Sequence, residues 1–257
     1  MYVPPMYKSM GRGWIRQVMA RYPLATLVTN GPSVPYATHL PVIFDPGSER
    51  PPSGDAVPEG GTAPGADDLA GTTLFGHMNR ANPHWGSLSD AMDAKLVFTG
   101  PHSYVSPTVY EQSPAAPTWN FVAAHVEGTL HPLPDFEDTL RVVQDTVTQY
   151  ERDFGDGWRM DESLDYFRMI GPAVGAFRFE VRSAQAMFKL SQEKDTEIQR
   201  RVADRFAERP GSAHELAALM REFSLAGAEG GPGAQDARGG QDARGGRREE
   251  GHGEQGG

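Results

Sequence analysis
Apolar and polar positions alternate along most of the chain with the two periods that separate strands from helices. Trp14, Ile15, Val18 and Met19 recur at helical spacing behind Ser9, predicting a capped amphipathic helix that stops at Tyr22-Pro23. Leu24–Thr29 and Tyr36–Phe44 read as two strands of a hairpin around Asn30-Gly31-Pro32. Thr72–His77 reads as a strand, Ala81-Asn82-Pro83 opens a short helix with Trp85 and Leu88, and Lys95–Thr99 and Trp119–Leu130 are further strands. Asp135 caps a long helix to about Phe154, with Leu140, Val143, Val147 and Tyr150 on one stripe. A helix over Ser163–Ile170, strands over Val174–Val181 and Gln185–Leu190, and helices over Asp195–Glu208 and Ala213–Phe223 complete the pattern. Many short antiparallel strands with helices at the edge predict a mainly β (α+β) domain, a closed or split Greek-key barrel.

The pattern fails in two places. From about Gly227 onward almost nothing is apolar, and Gln-Asp-Ala-Arg-Gly-Gly occurs twice in tandem at Gln235–Gly240 and Gln241–Gly246. Such a segment cannot bury enough surface to offset its ordering entropy, so a domain over residues 1–225 is expected to carry a disordered, low-complexity tail over 226–257. A Pro-, Gly- and Asp-rich stretch at about 46–70 reads as a flexible insertion between strands.

Composition narrows the chemistry. With no cysteine among 257 residues, disulfides, thiolate metal sites and a cysteine nucleophile are excluded. No apolar run approaches the ~20 residues that span a bilayer, and Met1–Pro5 has no leader character, so a cytoplasmic protein with no membrane partner is expected. The 34 acidic against 24 basic side chains give a net charge of −10, and four of the arginines (Arg238, Arg244, Arg247, Arg248) lie in the tail. That balance, with no reader motif, argues against nucleic acid as a partner.

Five segments carry more polar detail than barrel packing requires: Gly76 to Trp85, Gly100 to Pro107, Pro117 to Phe121, His125 to Gly128, and Lys189 to Gln192. In this order they resemble the PaiB-like family of FMN-binding split barrels, over Met1 to about Leu225. The resemblance implies a six-stranded split barrel and a homodimer with cofactor pockets at the subunit interface. The wording His-Met-Asn-Arg-Ala-Asn-Pro-His-Trp, Thr-Trp-Asn-Phe and Phe-Lys-Leu-Ser-Gln-Glu resembles the haem-dependent piperazate synthase branch. Those proteins hold haem b and cyclise N5-hydroxyornithine to piperazic acid by forming an N–N bond. Where the regulator-like members continue Lys-Leu-Ser-Gln with Asn-Arg, this chain has Glu193-Lys194, which removes a bidentate phosphate donor. The expectation is therefore a haem enzyme with an amino-acid substrate. The alternatives are an FMN-binding oxidoreductase or a negative transcriptional regulator.

Individual residues carry a functional and a structural reading. His77 is either the axial ligand of haem iron, which the branch implies, or a core histidine. Arg80 either pairs with a propionate or phosphate or sits at a helix start, where Asn82 reads as the cap. His84 reads as structural. His102 and Tyr104, placed in a Gly-Pro turn, are either pocket-mouth contacts or ordinary turn residues. Trp119 either stacks on a flat cofactor or belongs to the core, and Asn120 beside it is a candidate cofactor contact. Lys189, Ser191 and Glu193 are expected to share one face, with Lys189, Glu193 and His102 as the catalytic candidates. His125 and Glu127 are read as facing apart on their strand, each with a structural role.

Overall fold
The structure is a computed structural model that describes residues 1–8, 13–48 and 69–229. Six antiparallel strands close into a barrel: β1 (Leu24–Thr29), β2 (Tyr36–Phe44), β3 (Thr73–Asn79), β4 (Met92–Val105), β5 (Thr118–Pro132) and β6 (Val174–Lys189), in the order β1-β2-β3-β6-β5-β4. β4 pairs back onto β1, and β6 enters between β3 and β5, which is the Greek-key departure from a meander. Closure gives each of the six described strands a partner on both sides.

Strand alternation decides what fills the barrel. Leu27, Leu74, Leu96, Val126, Phe177 and Phe179 are all fully buried. Each such side chain contributes roughly 1.5–3 kcal/mol on leaving water. Gly76 makes room for this packing, since a Cβ there would lie 2.5 Å from the Phe177 ring. Around the barrel lie α1 (Trp14–Arg21), α2 (Pro83–Gly86), α3 (Phe136–Phe154), α4 (Leu164–Ile170), α5 (Thr196–Ala207) and α6 (Ser212–Glu229). In α1 the predicted stripe, Trp14, Ile15, Val18 and Met19, is the buried one. Trp14 packs edge-on against Phe188 of β6 and Phe223 of α6, joining both helices to the sheet. α3 lies outside, across β2, β3 and β6, and its Tyr150 hydroxyl donates to the Val42 carbonyl. Its buried residues are Thr139, Leu140, Val142 and Thr146, a stripe rotated from the predicted one because the helix settles over three strands at once.

Several expected boundaries move. β4 continues through Gly100-Pro101 with a register shift between Thr99 and His102, so His102 and Tyr104 lie on a strand and not in a turn. The two strands expected at the end of the barrel are one, β6, kinked by a register shift near Ser183. Helix α6 runs on to Glu229, past the expected domain end, and Leu69 is buried in the core although it fell within the expected insertion. Helix α1 begins at Trp14 behind Gly13, whose backbone is left-handed (φ 82°), so Ser9 is not its cap; Ser9, most of that insertion and the tail beyond Glu229 lie outside the described residues.

Candidate functional site
On β3 the residues Leu74, Gly76 and Met78 face the barrel interior, so Phe75 and His77 face outward. His77 is half-buried opposite Ala176 of β6, on the side that α3 overlies. Its Nδ1 is shut off from solvent and has no hydrogen-bond partner among the described residues. Burial holds its pKa below the ordinary value, so the ring is neutral near pH 7. Neutral imidazole is the form that a haem iron binds.

Immediately after β3 the chain makes a tight polar turn. The Asn79 side-chain oxygen accepts from the Ala81 amide, and the Asn82 amide bonds back to the Asn79 carbonyl. Asn82 is the cap the sequence predicts, accepting from His84 N at 3.0 Å. Arg80 is exposed. Its Nε donates to the Val174 carbonyl at 2.7 Å, and its guanidinium lies 5.1 Å from the Trp85 ring. Among the described residues no carboxylate pairs with it. His84, read as structural, is 1% exposed with both ring nitrogens bonded to threonine hydroxyls.

The remaining candidates gather on the outer face of β4, β5 and β6. His102 and Tyr104 flank Trp119, with ring centroids 5.6 and 6.1 Å away, and the Tyr104 and Trp119 Cα positions are directly opposed. Trp119 is 51% exposed, which rules out the core reading. Lys189 ends β6 beside it, bonded to the Thr118 hydroxyl and 6.0 Å from the Tyr7 ring. Tyr7 in turn meets the Glu193 carboxylate. Burial first, then that carboxylate's charge and hydrogen bond, raise the phenol's pKa. Tyr7 and Thr118 thus join this cluster, although the sequence reading did not include them among its candidates. Tyr7 follows Pro4-Pro5-Met6 with no periodic partner nearby, and only the fold brings it to β6.

Three expectations are corrected. Asn120 is fully buried on the inner face, its amide donating to the Ser191 hydroxyl at 2.8 Å, so it is not a cofactor contact. Strand alternation explains this: Trp119 and Asn120 are neighbours, and one must point inward. Lys189, Ser191 and Glu193 do not share a face, because the strand ends at Lys189 and Ser191 takes a left-handed backbone (φ 66°) that turns the chain. Ser191 is buried with Asn120 while Glu193 is exposed. His125 and Glu127 share the outer face, as residues two apart on a strand do, and the Glu127 charge is felt at His125.

The predicted residues thus form two groups. His77 lies opposite Ala176, and Lys189 lies thirteen positions further along the same strand. That path is roughly 40 Å at ~3.3 Å per residue. Within one chain the imidazole and Arg80 do not meet the Trp119 platform. Cavities of about 370 Å³ (Met1, Val3, Lys8 against Ala184 and Gln185) and about 320 Å³ (Val28 to Asn30 against Lys95, Glu127 and Arg182) open elsewhere on the barrel. Neither contains a predicted site residue. Among the described residues no helix is long and apolar enough to cross a membrane.

A family model described as "Putative FMN-binding domain" matches residues 1–183. The Bacillus subtilis (strain 168) protein "Protease synthase and sporulation protein PAI 2" is 26% identical over 226 residues, covering 86% of this chain and 97% of that one. Among solved structures, the FAD and haem binding protein from Mycobacterium smegmatis aligns with a TM-score of 0.46 at 14% identity, over 75% of this chain and 78% of that one. HutZ, the haem storage protein of Vibrio cholerae, aligns with a TM-score of 0.36 at 12% identity, over 68% and 92%. The chain belongs to the PaiB-like, FMN-binding family.

Proposed function
We propose that the chain is a haem-dependent enzyme of the piperazate synthase kind, working as a homodimer on N5-hydroxyornithine. The observation that carries the reading is His77: a neutral, half-buried imidazole on the outer face of β3, three residues before the exposed Arg80. His77 would hold the iron and Arg80, three residues on, a propionate. Bound haem would supply the Lewis-acidic centre that makes the hydroxylamine nitrogen electrophilic. The overall change is redox-neutral: the N–N bond forms, the N–O bond breaks, and the hydroxyl leaves as water after taking a proton.

The chain's own residues suit an amino-acid substrate. Glu193 offers a carboxylate for an ammonium, with the Tyr7 phenol beside it to share a proton. Lys189 offers a cation for a carboxylate, and His102 lies against Trp119 as a second proton carrier. Folding the substrate so that its two nitrogens meet is worth several kcal/mol of barrier. The strand path separating His77 from Lys189 supports a second copy as the element that unites the two groups. The family description favours FMN as the competing cofactor, and Glu193-Lys194 counts against it, because a lysine stands where the regulator-like members have an arginine and the bidentate phosphate donor is lost.

The test is the absorption spectrum of the purified protein followed by turnover. A sharp Soret band, and loss of one water from N5-hydroxyornithine with a cyclic product, are expected. Broad flavin absorption with no such product would overturn the proposal in favour of a flavoprotein.

A further inference from the structure
His84 makes an unusual set of contacts for a residue in a four-residue helix. Its Nε2 bonds the Thr29 hydroxyl at the end of β1 (2.9 Å), and its Nδ1 bonds the Thr38 hydroxyl on β2 (2.8 Å). Its ring stacks on Tyr36 with centroids 5.2 Å apart and planes 16° from parallel. Thr38 also accepts from the Asn82 side-chain amide at 3.2 Å, so one hydroxyl holds both the histidine and the turn that contains Arg80. The next residue, Trp85, lies under the Arg80 guanidinium and fills the space above Gly175, where a Cβ would come within 2.4 Å of its ring.

The chain of contacts runs from two strands, through His84, to the indole that carries Arg80. The other restraints on Arg80 are its amide, bonded to the Ala173 carbonyl, and its Nε, bonded to Val174. With Nε committed to Val174 and the guanidinium over the Trp85 ring, the terminal nitrogens, which have no carboxylate partner among the described residues, remain as a fork, the geometry that matches a carboxylate or a phosphate. We propose that His84 is a positioning residue: it fixes Trp85 and the Asn79–Asn82 turn so that Arg80 presents its fork to an anionic group of the cofactor. The inference rests on the cofactor reading above but not on which cofactor is bound, since a haem propionate and a flavin phosphate share the recognised chemistry.

The experiment is a double-mutant cycle read by equilibrium titration with haemin and with FMN, each beside its uncharged counterpart, haemin dimethyl ester and riboflavin. R80A and H84F should each weaken the anionic ligand by roughly tenfold to a hundredfold, the span of one charge-assisted hydrogen bond. The double variant should be no weaker than R80A, and none of the three should alter binding of the uncharged counterpart. His84→Gln, which can still reach one threonine hydroxyl, should recover part of the loss. Equal weakening for the uncharged ligand, or losses that add, would overturn the proposal. If H84F does not fold, Thr38→Val takes its place in the cycle, with the same outcomes expected. A wild-type protein that binds neither haemin nor FMN refutes the cofactor reading instead. The positioning is then decided by the Arg80 Nε–H resonance: a slowly exchanging signal in wild type that is lost in H84F sustains it, and an unchanged signal refutes it.

Discussion

Replacing Asn120 with Asp exchanges one atom group for a near-isostere at a fully buried position, so the result is dominated by charge. The wild-type amide donates to Ser191 Oγ at 2.8 Å, and that hydroxyl donates back to Oδ1 at 3.2 Å. A neutral Asp keeps an acceptor and an O–H donor, and ionisation removes the donor. Among the described residues the side chain's other polar contact is the weak acceptor Met220 Sδ at 3.9 Å. Burial raises the carboxyl pKa, by about 3–5 units at a fully buried site, and each unit corresponds to ~1.4 kcal/mol. A raised folded-state pKa means the penalty is absent below the unfolded value and grows as the pH rises from there to the folded value. N120D should therefore lose little near pH 4, where the protonated carboxyl still donates to Ser191, and roughly 4–7 kcal/mol by pH 8–9. For a domain of this size that is a fall in Tm of roughly 8–28 °C between the two conditions, relative to wild type. Calorimetry of both proteins at pH 4, 6 and 8 measures it. A deficit that is the same at every pH would mean that Asn120 is reached by water and that the buried-pair account is wrong.

His77→Ala should abolish the Soret band while moving Tm little; an unchanged spectrum with a lowered Tm would make His77 structural and send the search for a ligand elsewhere. Gly175→Ala should cost about 1–3 kcal/mol in urea unfolding, because the new Cβ would lie 2.4 Å from the Trp85 ring, and no loss would show that the indole moves freely. Tyr150→Phe removes the bond to the Val42 carbonyl and should cost about 0.5–1.5 kcal/mol by the same measurement, with a silent variant refuting that tie between α3 and β2. Burial holds the pKa values of His77, His84 and His125 below the ordinary value, so stability is fully present above about pH 6.5 and is lost as the pH falls toward the folded values. H77A should lose less than wild type on going from pH 7.5 to 5.5, and an equal loss would remove His77 from that account.

The sequence alone determined the elements whose signal is local. Trp14, Ile15, Val18 and Met19 repeat with the helical period because one helix face is buried, and they are the buried residues. The hairpin β1–β2, the Asn82 cap and helix α3 were legible for the same reason: a period of 2 or 3.6, or a capping residue, is written in neighbouring positions. The polar motifs fall on or beside the outer barrel surface, where His77, Arg80, His102, Tyr104, Trp119, Lys189 and Glu193 lie. What the tertiary structure decided was everything that depends on closure. That β6 is one strand lying between β3 and β5 is a long-range pairing with no local trace, and it sets Ala176 and Lys189 at opposite ends of a single element. Which of two adjacent polar residues faces inward is a matter of register, and register is fixed by the neighbouring strand: Trp119 opposes Tyr104 on the outside, so Asn120 faces Ser191 within. Tyr7 reaches Glu193, and His84 reaches Thr29 and Thr38, across loops of a length the chain does not announce. Those contacts exist because a closed barrel brings distant segments within a hydrogen bond of each other.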